Sequence, residues 1–199
     1  MSKVTCDMSM SLDGYVTGLK QSLEEPFGEG VGERLHRWMV EEPERHSDVL
    51  DAIVAAGAFI MGRNMFAPSR GAWDLEWRGW WGEEPPYHAP VFVLTHHARE
   101  PLEMKGGTTF HFVTEGIEAA LTRAREVAGD RDVAIAGGAA TVNQYLAAGL
   151  LDELRVHTVP LILGRGERLF DGVEDTELRP VGDAWGTELV THVTYQVVR

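Results

Sequence analysis

Apolar and polar residues alternate over residues 3–10, KVTCDMSM, and the alternation predicts a first strand. SLDGYVTG follows, with Asp13-Gly14 as a turn signal. Over 31–40, VGERLHRWMV, the period lengthens, and Val31, Leu35, Trp38 and Met39 fall on one helical stripe. A short helix is expected over 47–56, capped by Ser47 or Asp48. AFIMG (58–62) and VFVLT (91–95) are continuous apolar runs, the mark of strands buried on both faces. The clearest helix is 114–128, with Thr114 as candidate cap and Ile117, Ala120, Leu121, Ala124 and Val127 or Ala128 as its buried face. DVAIAGG then reads as a buried strand ending in glycine, and AATVNQYLAAG as a helix closed by Gly149. ELRVHTVPLIL and LRPVGDAWGTELVTHVTYQVV read as late strands, the last two an antiparallel pair. Strands alternating with helices, then consecutive strands, predict an α/β fold. Its sheet is central, mixed and mostly parallel, flanked by helices, with an antiparallel C-terminal edge.

Composition changes this picture little. The chain has 199 residues, 44% hydrophobic and 25% charged, which suits one domain over 1–199. One cysteine, Cys6, excludes a disulfide framework and argues against a thiolate metal site. No stretch reads as a signal peptide or a membrane span, so a cytoplasmic protein is expected. The net charge of −13 argues against nucleic acid and against an anionic membrane surface. An anionic ligand would therefore have to be met locally, by a few arginines or helix N-termini.

Such places exist at three strand ends. Gly137-Gly138 separates a buried strand from a helix. It is either a plain turn or a site where an anion reaches the backbone without a Cβ in the way, with Thr141 adding a hydroxyl. Arg63 follows Gly62 at the end of a second strand, and Thr95, His96, His97 and Arg99 follow a third. Adjacent histidines rarely point at one ion, and no metal site is expected. Residues 68–90, rich in Trp, Pro and Gly, lack a period and read as an ordered flap or an interface.

SLDGYVTG, MGRNMF, VFVLTHH and AIAGGAATVNQYLAAGLLDELRVHTVPLILGRGERLF, in this order, resemble the dihydrofolate-reductase-like family over nearly the whole chain. The nearest resemblance is to the C-terminal reductase domain of the bifunctional riboflavin-biosynthesis deaminase/reductase and its free-standing bacterial relatives. The resemblance implies that fold, NADPH as cofactor and a homodimer. It implies that Gly62, Arg63 and Asn64 hold the cofactor phosphates and that Thr95, His96 and His97 lie near the adenosine 2′-phosphate. Ala136, Gly137, Gly138, Ala139, Ala140 and Thr141 would cradle the pyrophosphate. Two departures stand out. The riboflavin-pathway enzymes typically carry Glu where this chain has Ala136, so a ribityl-pyrimidine substrate does not follow from the resemblance. No H-x-E with P-C-x-x-C is present, so no deaminase activity is expected.

The expected activity is hydride transfer from NADPH to a C=N or C=O bond of a small, flat, pyrimidine- or pterin-like substrate. The alternatives are a non-catalytic nucleotide-binding protein of the same fold and a true dihydrofolate reductase. The catalytic candidates are Asp13, substrate-facing or else capping the Asp-Gly turn, and His36, a proton donor near neutral pH or else inert on a helix surface. Glu33 is a candidate pterin-binding carboxylate or else the partner of Arg37 at i,i+4. Trp73, Trp77, Trp80 and Trp81 would stack on a flat substrate or nicotinamide, or pack a dimer.

Overall fold

The computed structural model describes residues 2–198. Its strands are β1 (Val4–Ser11), β2 (Tyr15–Thr17), β3 (Ala58–Gly62), β4 (Pro90–Leu94), β5 (Leu102–Glu103), β6 (Thr109–Val113), β7 (Val133–Gly137), β8 (Glu153–Val159), β9 (Glu167–Arg168), β10 (Leu178–Gly186) and β11 (Thr191–Val197). The α-helices are α1 (Arg37–Glu41), α2 (Ser47–Val54), α3 (Arg63–Phe66), α4 (Ile117–Ala128) and α5 (Ala139–Ala147).

Nine strands form one sheet in the order β10-β11-β8-β1-β7-β3-β4-β6-β5. From β8 to β6 every pairing is parallel. β11 and β10 close one edge antiparallel, as the pattern predicts, and the short β5 closes the other. The parallel run puts the C-terminal ends of β1, β7, β3 and β4 side by side, where ligands bind in open α/β sheets.

Period-2 alternation divides the core between the two faces. On β3, Ala58 and Ile60 join Cys6 and Ile135 under α4 and α5, while Phe59 and Met61 join Val91, Val93 and Phe110 under the Trp-rich segment. A third cluster, Val31, Leu35, Trp38, Val159 and Val190, seats the 30–54 region. The α4 face resolves to Ala128, with Val127 half exposed.

Several local expectations are corrected. The 31–40 stripe is not one helix: a 3₁₀ turn, Gly32–Leu35, meets α1 at His36, whose φ of −122° and ψ of 10° are not helical. Val31, Leu35 and Trp38 are buried all the same, because the stripe survives the break. Neither Ser47 nor Asp48 caps α2: the N-cap is His46, without a side-chain cap bond. α4 starts three residues later than expected, after Gly116 at φ 94°, and Thr114 binds the Glu115 carboxylate instead of capping. β6 was not anticipated; TFHFV is short and carries His111 among its aromatics. Arg37 pairs with Glu41, not with Glu33.

Candidate functional site

Two cavities open at the C-terminal strand ends. The larger, about 320 Å³, is lined by residues that follow β3 (Gly62, Arg63, Asn64, Ser69, Arg70), β4 (Thr95, His96, His97), β6 (Thr114, Gly116) and β7 (Gly138, Ala140, Thr141). The smaller, about 250 Å³, has Asp7, Met8 and Ser9 of β1 along one side and His36, Phe27, Met65, Trp80, Trp81, Ala136 and Gly137 around it. Asn64, Gly138 and Glu167 line both, so the cavities meet there.

The two glycines differ in their reasons. Gly137 has φ 126°, a backbone state that L side chains rarely adopt. Gly138, at φ −77°, would suit any residue, and a Cβ there would meet no atom within 4 Å. The backbone at residue 138 therefore faces open space at the cavity. No side chain caps α5, whose first turn begins at this opening and leaves backbone N–H groups free there. On the opposite wall a Cβ at Gly62 would stand 2.4 Å from the Thr141 hydroxyl, which keeps that hydroxyl at the cavity.

The electrostatics run against the chain's overall charge. Arg63, Arg70, His96 and His97 line the larger cavity, with Glu167 the one carboxylate among the described lining residues. The Arg63 guanidinium lies 4.0 Å from the Trp73 ring, donates a long bond to Ala72 O, and keeps a buried Nε without a partner. Burial, then the neighbouring Arg70, lowers its pKa from the usual arginine value, as expected for a cation held without a counterion. A cleft with unmet donors, two cations and an open backbone turn fits an extended phosphate-bearing ligand.

Gly62, Arg63, Asn64, Thr95, His96, His97, Gly138, Ala140 and Thr141 thus share the larger cavity; Ala136 and Gly137 belong to the smaller; Ala139 is buried behind the turn. Arg99 corrects an expectation. It turns away onto the 68–90 segment, donating to the carbonyls of Leu75 and Trp77, and Arg70 supplies the second cation. That segment is ordered and tied to the sheet's strand ends: the Trp73, Trp77 and Trp80 indoles donate to the carbonyls of His97, Phe66 and Met65.

Of the catalytic candidates, His36 faces the smaller cavity and Asp13 does not. Asp13 accepts from Ser11 Oγ and from the backbone N–H of Leu163 and Gly164, which holds its carboxyl down at about 2. Its role as a substrate-facing group is therefore replaced by that of an anchor for the loop after β8. His36 is brought down to about 4, by burial first and by nearby His157 second. At neutral pH it is an uncharged ring that donates at one nitrogen and accepts at the other. Glu33 is exposed and lines neither cavity. Asp7 lines the same cavity as His36 and was missed by sequence reasoning; its signal was the one charged residue of β1.

The family model for the RibD C-terminal domain matches residues 2–190. The chain belongs to the RibD C-terminal domain family. Within that RibD-type frame, the uncharacterized protein YyaP of Bacillus subtilis (strain 168) is 22% identical over 183 residues, covering 86% of this chain and 82% of that protein. A putative riboflavin biosynthesis protein from Shewanella sp. PV-4 superposes with a TM-score of 0.67 at 22% identity, over 99% of each chain. A dihydrofolate reductase from Enterococcus faecalis, in complex with NADP(H), superposes with a TM-score of 0.55 at 13% identity, over 98% of this chain and 96% of that one. The α/β fold, a mixed and mostly parallel sheet with antiparallel C-terminal strands, is the one the strand and helix pattern predicts. Among the described residues, no helix is long and apolar enough to cross a membrane.

Proposed function

We propose that the protein is an NADPH-dependent oxidoreductase that reduces a C=N or C=O bond of a small, flat heterocycle. The observation that carries this reading is the meeting of the two cavities at Gly138: one cationic and polar, the other walled by aromatic and apolar groups. Membership of the RibD C-terminal family supports the same reading.

NADPH, when bound, supplies the hydride, which no side chain can provide. The chain does the rest. Arg63 and Arg70, with His96 and His97, receive the adenosine 2′-phosphate end. The free N–H groups at the start of α5, the Thr141 hydroxyl and the open side of Gly138 receive the pyrophosphate. Asn64 and Glu167, at the junction, would hold the nicotinamide end where the two cavities meet. In the smaller cavity Trp80, Trp81 and Phe27 would give a flat acceptor an apolar wall, and neutral His36 would hydrogen-bond a ring nitrogen or carbonyl of it. Ala136 lies in this cavity, so the acceptor is held without a carboxylate at that position. The homodimer is carried into the proposal from the family resemblance.

The deciding experiment is a titration of the purified chain with NADPH and with NADH, read by tryptophan quenching and calorimetry, followed by a screen of pterin, pyrimidine and imine acceptors. Tight NADPH binding and oxidation by one acceptor class support the reading. Binding without any oxidation makes the protein a non-catalytic binder, and absence of binding to either cofactor overturns it.

A further inference from the structure

One indole joins two of the strand ends that build the larger cavity. The Trp73 ring lies 4.0 Å from the Arg63 guanidinium. Its Nε1–H donates to the carbonyl of His97 at 2.7 Å. Arg63 opens α3 directly after β3, and His97 lies in the loop after β4. Both line the larger cavity, whereas Trp73 lines neither. The indole therefore stands behind the groups that face the ligand space.

Trp73 is itself held from further sides. It meets Phe66 and Phe112 edge to face, with ring centroids 5.8 and 5.0 Å away. Phe66 is fully buried at the end of α3, and Phe112 lies on β6. The His97 loop is closed on its own account, because the His97 N–H donates to Thr95 Oγ1 at 3.1 Å. The place of the indole is thus set jointly by α3, β6 and the loop after β4.

Arg63 has little else to hold it. Among the described residues its one hydrogen bond is the 3.4 Å contact with the Ala72 carbonyl, and its Nε is buried without a partner. Arg70 adds repulsion to the burial that already lowers its pKa. Stacking on an indole uses the flat face of a guanidinium and leaves its N–H groups in the guanidinium plane free to bind an anion. The neighbouring tryptophans act differently. Trp77 and Trp80 donate to the carbonyls of Phe66 and Met65, main-chain groups at the end of a short helix that has no further turn to bind them. They hold the backbone of α3, and Trp73 holds its cationic side chain.

We propose that Trp73 is the positioning residue for recognition of the NADPH 2′-phosphate: its ring holds the Arg63 guanidinium at the larger cavity, and its N–H keeps the His97 loop beside it. The proposal rests on the NADPH reading of that cavity. It makes the 68–90 segment part of the cofactor site as well as a wall of the smaller cavity, which Trp80 and Trp81 line. Trp73 acts through Arg63, so its contribution belongs only to ligands that carry the extra phosphate.

The test uses the full chain and two ligands without a nicotinamide. Adenosine 2′,5′-bisphosphate carries the discriminating phosphate, and ADP lacks it. Calorimetry gives both affinities, with NADPH and NADH titrated alongside. Trp73→Leu, which removes stack and hydrogen bond, should weaken the bisphosphate and NADPH roughly tenfold and leave ADP and NADH unchanged. Trp73→Phe keeps a ring without the bond and should retain most of the affinity. In an Arg63→Ala background, Trp73→Leu should have no further effect. Trp77→Phe, at a residue that lines neither cavity, should lower thermal stability and leave the bisphosphate-to-ADP ratio as it is.

Equal losses for all four ligands in Trp73→Leu overturn the proposal, because they mark a merely structural residue. So does a ratio that falls as far in Trp73→Phe or Trp77→Phe as in Trp73→Leu, and so do additive losses with Arg63→Ala. Fluorescence gives a readout that does not need the leucine variant to fold. The bisphosphate should change the wild-type tryptophan emission by an amount missing in Trp73→Phe, and an equal change in both overturns the proposal. Binding of NADPH and the bisphosphate, with no acceptor that oxidises NADPH, would overturn the reductase reading alone. An active, NADPH-preferring enzyme whose Trp73→Leu variant keeps its preference would overturn the Trp73 assignment alone.

Discussion

Gly62 and Thr141 face each other so closely that a Cβ on residue 62 would stand 2.4 Å from the Thr141 hydroxyl. The contact ties the end of β3 to the first turn of α5, the two sides of the larger cavity. Thr141 is buried and β-branched, so it yields only by leaving its rotamer. Gly62→Ala should cost about 1–3 kcal/mol of stability, the ordinary penalty of overpacking, and should weaken NADPH binding as the hydroxyl is displaced. Urea unfolding and a cofactor titration on the same variant check both.

Arg63 and Arg70 should divide the preference for NADPH over NADH between them. Loss of one charge-assisted bond to a 2′-phosphate is worth about 1.5–3 kcal/mol, or roughly ten- to hundredfold in Kd. Arg63→Ala and Arg70→Ala should each reduce the preference by that order while leaving NADH binding little changed. Arg99→Ala should not alter the ratio, because Arg99 holds flap carbonyls instead. A ratio that survives both cavity substitutions would mean the 2′-phosphate lies elsewhere.

Asp13 should behave as an anchor. Asp13→Ala releases the N–H groups of Leu163 and Gly164, so thermal unfolding should begin at lower temperature while NADPH affinity holds. Its folded pKa of about 2 lies below the unfolded value of 3.8. Its contribution is therefore complete above pH 3.8 and fades as pH falls toward 2. A variant with unchanged stability at pH 7 but lost cofactor binding would return Asp13 to the site.

His36 and His192 set the acid limit. Both are lowered from 6.5 to about 4, so between these values the unfolded chain binds more protons than the folded one. Stability then rises with pH across that window and is lost as pH falls through it. Denaturant midpoints should decline from pH 6.5 to 4, and His36→Leu should flatten the slope. A slope unaltered by that change would assign the acid sensitivity to other groups.

What the sequence made legible was local. The apolar runs of β3, β4 and β7 and the glycines at their ends could be read from neighbouring residues, and they led to the larger cavity. Arg70 was not legible, since nothing in PSRGAW says which way the flap returns. Asp7 was visible as an acid in β1 but had no stated use, because His157 lies 150 positions away and comes within 3.4 Å of it only through β1–β8 pairing. His192 and His46 are separated by 146 residues. A histidine cluster assembled from two strands and a turn leaves no spacing signature, whereas a strand followed by two glycines does.

The junction at Asn64, Gly138 and Glu167 divides the labour of the site unequally. Among the described residues these three alone belong to both cavities, and the other lining side chains of each belong to one. Gln21, Phe27, Ala136 and Trp80 line the smaller cavity and not the larger, so on the proposed reading they would be the positions that fit an acceptor, apart from the half that would hold the nucleotide. A library confined to those four positions would explore new substrates while keeping the same reductant.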